Sequence, residues 1–225
     1  MSAERGTSEA PVSLFIGGAW IAGSAGTRDV IDPATERPMG AVTLAADAEI
    51  DAAIAAADAA FGEWRAKPAL ERGAVLIRAA TLIRERIERI ARLLTLEQGK
   101  TLAESRGEIA RAVETFAWNG EEAPRIEGAV VAGRAPGSTR RRVATPLGVV
   151  AAFDAWNFPA VLAARKLGAA LAAGCTVVLK AAEEAPYTAA AIVACLDEAG
   201  LPMGVVNLVF GDPPAVARRL LASPV

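Results

Sequence analysis

The stretch GVVAAFDAWNFPAVLAARKLGAALAAGCTVVLKAAEEAPYTAAAIVACLDEAGLPMGVVNLVF (148–210) decides the fold. Near-continuous apolar runs at 148–156, 175–180 and 204–210 alternate with alanine-rich segments of helical length at about 161–173 and 187–199. A further helix begins near Pro213. Apolar strands that alternate with helices of roughly 10–15 residues specify a parallel sheet covered on both faces, an α/β architecture. In such sheets ligands collect at the carboxyl ends of the strands. Those ends carry Trp156-Asn157, Lys180 to Glu183, and Phe210-Gly211.

Upstream, residues 15–42 are short apolar pieces broken by Gly17-Gly18, Asp32-Pro33 and Arg37-Pro38, the pattern of short strands. From Asp47 the pattern is helical, with Asp47 a candidate N-cap for the run to Phe61. Pro68 stands just inside the start of a longer helix, where a missing N–H does no harm. Leu76, Ala80, Ile83, Ile87, Ile90 and Leu94 form one apolar stripe of that helix, which Gly99 ends. A third helix runs from about Leu102 to Trp118. Between Ile126 and Val143 a Gly-, Val- and Arg-rich stretch, turning at Pro136-Gly137, reads as two strands. Its triplet Arg140-Arg141-Arg142 fits a solvated or interface-facing strand edge better than a nucleic-acid patch, since no aromatics interleave it.

Composition narrows the function. The 225 residues hold 24 Lys+Arg against 26 Asp+Glu, so a nucleic-acid partner gains no electrostatic support. Alanine supplies 53 residues and inflates the 53% hydrophobic content, yet roughly 30% larger apolar residues remain, enough for a core. The longest apolar run, Leu167 to Leu179, stops at 13 residues, short of the ~18–20 a membrane span requires. Histidine is absent, which removes Ser-His-Asp triads, the usual zinc sites and every histidine base. Cys175 and Cys195 alone build neither a disulfide framework nor a thiolate metal cluster. The opening MSAERGTSEAPVS mixes Glu with Arg and lacks an apolar stretch, so no leader is read there and a cytoplasmic chain is expected.

No GxGxxG occurs, so any nucleotide site must rest on the side chains at the strand ends. Asn157 either caps the helix that follows it or donates its amide to a developing oxyanion. Lys180 and Glu183 are either a surface loop pair of little worth or a clamp on ribose hydroxyls, with the carboxylate as acceptor.

PLGVVAAFDAWNFP (146–159), ARKLGAALAAGCTVVLKAAEEAP (164–186) and GLPMGVVNLVFG (200–211) resemble the aldehyde dehydrogenase superfamily. LFIGGAW (14–20), DPATERPMG (32–40) and LLTLEQGKTLAESRGEI (93–109) resemble its succinate-semialdehyde dehydrogenase branch. The combination of WNFP with the downstream K-x-x-E makes the resemblance specific, and it runs from about residue 12 to the last. It implies a Rossmann-like parallel sheet with flanking helices and a protruding β-hairpin. Residues 1–125 would be the N-terminal strands and helices of the cofactor-binding domain, 126–145 an oligomerisation hairpin and 146–225 the βαβαβα core.

The resemblance further implies a role for each matched position. Asn157 would help form the oxyanion hole, and Trp156 would lie in the cofactor pocket. Lys180 and Glu183, with Ala181 and Ala182 between them, would hold the adenosine ribose, and Gly211 would border the adenine. Arg165 would grip a substrate carboxylate, its other reading being a helix surface charge beside Lys166. A carboxylate at position 183 favours NAD over NADP. The implied reaction is NAD(P)-dependent oxidation of succinate semialdehyde or a related semialdehyde to its acid, in a homo-oligomer with no nucleic-acid or membrane partner. Asp154-Ala155 and Ala181 depart from the family's common Thr-Pro and Pro. The family's nucleophilic cysteine and water-activating glutamate fall in its second half, beyond Val225, and Cys175 and Cys195 are read as core thiols. The chain alone is therefore expected to be inactive, and a truncated nucleotide-binding or assembly module is the alternative.

Overall fold

The computed structural model describes residues 11–225; the leader-free reading of MSAERGTSEA falls on residues 1–10, outside them. In chain order the elements are β1 (Leu14–Ile16), β2 (Ala19–Ile21), β3 (Thr27–Asp32), β4 (Arg37–Thr43), α1 (Asp47–Ala66), α2 (Ala69–Glu85), α3 (Ile87–Gln98) and α4 (Leu102–Glu122). There follow β5 (Ala129–Ala132), β6 (Thr139–Arg142), β7 (Val149–Phe153), α5 (Pro159–Ala173), β8 (Thr176–Lys180), α6 (Pro186–Glu198), β9 (Val206–Val209) and α7 (Pro213–Ala222).

The main sheet has the order β2-β1-β9-β8-β7. Its parallel part, β7-β8-β9, is in the expected register for two βαβ crossovers, with Val150 opposite Val177 and Val178 opposite Asn207. β8 and β9 are buried throughout, which is why they read as unbroken apolar runs. The expected cover on both faces fails at β7. It is an edge strand of this sheet, with Ala151 and Phe153 exposed. α1 lies against β7, β8 and β9 with α7 packed on it. α5 and α6 cover the other face and carry α2, α3 and α4 as a second layer. Trp64, Phe116, Leu171 and Phe210 are among the large side chains buried between these layers.

Several boundaries differ from the sequence reading, each for a local reason. The single helix expected from Pro68 to Gly99 is two helices, because Arg86 leaves helical geometry at φ −105°, ψ 11°. Gly99 does end the second, in the left-handed region at φ 87°. Pro68 is the N-cap residue of α2 rather than inside it. Asp47 is the first helical residue of α1 and not its cap; Ala46 holds that place, and its N–H is taken by the Glu49 side chain at 2.8 Å. The first parallel strand stops at Phe153 instead of 156, and Asp154 to Phe158 form a turn. β5 and β6 make a separate two-stranded hairpin, with Arg140, Arg141 and Arg142 exposed along β6. Among the described residues no helix is long and apolar enough to cross a membrane.

β1 joins the main sheet antiparallel to β9, through Phe15 and Leu208, a pairing with no local signal. Asn207 makes the joint. Fully buried on β9, it donates from Nδ2 to Gly204 O at 2.8 Å and accepts the Gly17 N–H on Oδ1 at 2.9 Å. Gly17 and Gly18, at φ 61° and 86°, form the two-residue turn between β1 and β2, a conformation that glycine alone adopts without strain. Asn207→Ala leaves both partners unmatched and should cost about 1–3 kcal/mol. Chemical denaturation measures that loss, and amide exchange at Phe15 and Ile16 should accelerate beyond the global change.

Candidate active site

The three parallel strands deliver their carboxyl ends side by side. β8 ends in Lys180, a residue 5% exposed, whose partner Glu183 is 2% exposed. Lys180 Nζ lies 2.6 and 2.7 Å from the two Glu183 carboxylate oxygens. The Gly211 N–H, just past β9, donates to Glu183 Oε1 at 2.8 Å. The surface-pair reading of Lys180 and Glu183 is therefore overturned: a buried ammonium demands a carboxylate partner, and the short turn supplies it. Gly211 is crowded, because an added Cβ would sit 2.9 Å from Val216 Cγ2. Ala181 and Ala182 are buried between the pair. The Ala181 N–H donates to Val209 O at 3.3 Å, a bond that a proline there could not make.

The turn after β7 is open by contrast. Trp156, Asn157 and Phe158 are exposed. Asn157 does not cap α5; the N-cap residue is Phe158, with no side-chain cap bond. The Asn157 carbonyl instead accepts from Lys100 Nζ at 3.0 Å. Trp156 and Glu183 line one cavity of about 240 Å³, with Arg28, Glu97 and Glu184 also on its wall. Asn157 and Phe158 line another, of about 700 Å³, with Gln98, Lys100, Glu104 and Arg111. Arg165 is exposed on α5 and lines neither. Asp154 is buried and pairs with Lys166 at 2.5 Å, while its Oδ2 has no hydrogen-bond partner among the described residues. Burial raises the Asp154 pKa against the pull of Lys166.

Two buried glutamates escaped the sequence reading. Glu97 accepts the N–H groups of Tyr187 at 2.7 Å and Thr188 at 2.9 Å, at the start of α6. Glu108 accepts those of Ala160 at 2.9 Å and Val161 at 3.3 Å, at the start of α5, and pairs with Lys100. The signal was present. Glu97 takes the next step of the stripe that runs through Ile90 and Leu94, and Glu108 shares the buried face of α4 with Ser105, Ile109 and Ala112. A charged residue on an apolar stripe has to meet donors in the interior.

The starts of the helices behind the strand ends are already occupied. Rossmann-type folds hold pyrophosphate on free helix N–H groups. Here Glu108 and Glu97 occupy the starts of α5 and α6. Asp212 accepts the Ala215 N–H at 3.0 Å at the start of α7, where Pro213 and Pro214 bring no N–H. Cys175 and Cys195 are buried, and burial pushes the Cys195 thiol up, so neither is set up as a nucleophile.

The family described as the aldehyde dehydrogenase family matches residues 20–225. A 4-(hydroxymethyl)benzenesulfonate dehydrogenase of Comamonas testosteroni is 50% identical over 94% of this chain and 44% of its own length. The NADP(+) succinate-semialdehyde dehydrogenase GabD of Escherichia coli is 42% identical over 93% of this chain and 44% of its own. A crystal structure of succinate-semialdehyde dehydrogenase from Burkholderia pseudomallei matches with a TM-score of 0.93 and 41% identity, covering 96% of this chain and 45% of that one. The chain thus spans less than half the length of the relatives it matches.

Glu97 generates a pH test. Burial pushes its pKa up to about 7, beyond what the Tyr187 and Thr188 bonds pull down, with the Glu108 charge adding to the rise. A carboxyl whose folded pKa lies above its unfolded value stabilises the fold at low pH, and that contribution is lost as pH rises from about 4.5 to about 7. Asp154 acts in the same direction, and without histidine few other side chains titrate in that window. Unfolding free energy should therefore fall between pH 5 and 8, by on the order of 3 kcal/mol from Glu97. Denaturation curves across that range should show the slope, and Glu97→Gln should remove most of it.

Proposed function

The chain belongs to the aldehyde dehydrogenase family, and on that premise we propose that it supplies the ribose-binding and oxyanion-binding part of an NAD-dependent enzyme that oxidises an aldehyde with an anionic tail. The observation that carries this reading is the buried Lys180–Glu183 pair at the end of β8, with Glu183 sharing a cavity wall with Trp156. A carboxylate there accepts hydrogen bonds from both ribose hydroxyls, and Lys180 adds a donor. Ala181, Ala182 and Gly211 keep the backbone close around it. Bound NAD supplies the acceptor for the electron pair of the oxidised aldehyde. Asn157 donates its side-chain amide to the oxygen that gains negative charge when the carbonyl is attacked. The attacking thiol is neither Cys175 nor Cys195, both being buried core residues.

The anionic tail is inferred from the names of two relatives, one a sulfonate and one a semialdehyde of succinate, together with Arg165. Arg165 is exposed on α5, about two turns into the helix that Phe158 precedes. A guanidinium there grips a carboxylate or sulfonate through two parallel N–H bonds. The exposed β5–β6 hairpin, with Val130 and Val131 in solvent, makes the subunit contact of a homo-oligomer.

The cofactor reading is tested in the chain completed by the C-terminal part of the Comamonas relative. The 2′-phosphate of NADP brings about two negative charges beside Glu183. NAD should give the higher kcat/KM, and Glu183→Ser should move the NAD-to-NADP ratio toward NADP by about tenfold, near 1.4 kcal/mol. An unsubstituted enzyme that favours NADP overturns the assignment. In the same enzyme Arg165→Ala should raise KM for succinate semialdehyde by at least about tenfold, from loss of a charged hydrogen bond of about 1.5–3 kcal/mol. KM for an uncharged aldehyde of equal length should change little, and equal losses would return Arg165 to a surface charge.

A further inference from the structure

We propose that Lys100 and Glu108 are positioning residues that fix the direction of the Asn157 side chain. The proposal rests on the reading of Asn157 as the oxyanion donor. Asn157 sits in an exposed turn beyond an edge strand, and no side chain of the turn itself caps the helix. Its aim therefore depends on how firmly its backbone is held from outside the turn. Lys100 holds it at three points. The ammonium donates to Asn157 O at 3.0 Å, lies 4.3 Å from the centre of the Phe158 ring, and pairs with Glu108. Glu108, wholly buried, accepts the Ala160 and Val161 N–H groups with its other oxygen. One buried ion pair thus grips the carbonyl, the ring and the first helical turn that together set the backbone at 157.

The clamp is itself held. Lys100 stands between Gly99, the left-handed end of α3, and Thr101, which caps α4 in a reciprocal box with Glu104. Its own N–H donates to Gln98 Oε1 at 3.1 Å. Its side chain is 11% exposed, so little of its freedom remains to be lost. Charge-assisted bonds are the strong ones in such a setting. An amide donor displaced by about 1 Å from a developing charge loses about a hundredfold in rate, so a device that fixes the turn acts on turnover and not on substrate affinity.

Two measurements test the clamp. In the 225-residue chain, Lys100→Met should speed amide hydrogen exchange at Ala160, Val161 and Leu162, whose N–H groups are bonded to Glu108 and to the Phe158 carbonyl, at least about tenfold, while buried amides of α2 and α6 keep their protection. Unchanged exchange at these three residues overturns the proposal. In the chain completed by the C-terminal part of the Comamonas relative, Lys100→Met should lower kcat about tenfold or more with KM within about twofold, and Lys100→Arg should restore most of it. Glu108→Gln, which keeps an acceptor for the α5 N–H groups but drops the charge, should give the same kcat loss and serves if Lys100→Met folds poorly. In an Asn157→Ala background, Lys100→Met should cost nothing further. A full additional loss there means that Lys100 acts elsewhere, which overturns the proposal. If Asn157→Ala alone leaves kcat intact, the oxyanion reading itself fails; if Asn157→Ala lowers kcat and Lys100→Met does not, only the clamp fails.

Discussion

A lysine at the end of a strand with no solvent on either side is the constraint around which the rest of the sheet end is arranged. β8 is paired on both edges and buried along its whole length, so its last residue, Lys180, brings an ammonium into an apolar layer. An unpaired charge there would be far too costly to keep, and the chain has only a short turn before α6 in which to answer it. Glu183 answers, and the Gly211 N–H takes part of its remaining acceptor capacity. Position 211 takes a glycine because an added Cβ would sit 2.9 Å from Val216 Cγ2. The end of β8 is locked to the end of β9 by a carboxylate whose Oε2 keeps one acceptor site open.

The same logic repeats one layer out. α3 and α4 send Glu97 and Glu108 inward to meet the first turns of α6 and α5, so the second helical layer reads the starts of the first. Helix starts closed in this way no longer attract anions.

Legibility in the sequence followed the range of the interaction. The β8 and β9 runs, the helices between them and the end of α3 at Gly99 were readable because their causes are local: apolar continuity, helical period and a residue that tolerates positive φ. The strand ends could be listed from the sequence, and Trp156 and Glu183 do share one cavity. The break at Arg86 was hidden because the apolar stripe continues through it in step. The burial of Lys180, the Asp154–Lys166 pair and the cap on α5 were hidden because each depends on a partner in another element. Asn157 beside a helix start invited a capping assignment, and the group that caps the helix is Glu108, 52 residues before the Ala160 N–H it accepts.

The joint between β1 and β9 sets an order on biosynthesis. The Gly17–Asn207 bond spans 190 residues, so the first strand leaves the ribosome long before its inner neighbour exists. At about 5–20 residues per second, the β1–β2 hairpin waits on the order of 10–40 s with its inner edge unpaired. A free edge of that kind is a template for pairing with other chains. The nascent chain therefore passes through a window in which its first apolar strand needs shielding, by helices already formed or by a chaperone, and the window closes only when residues near 209 emerge.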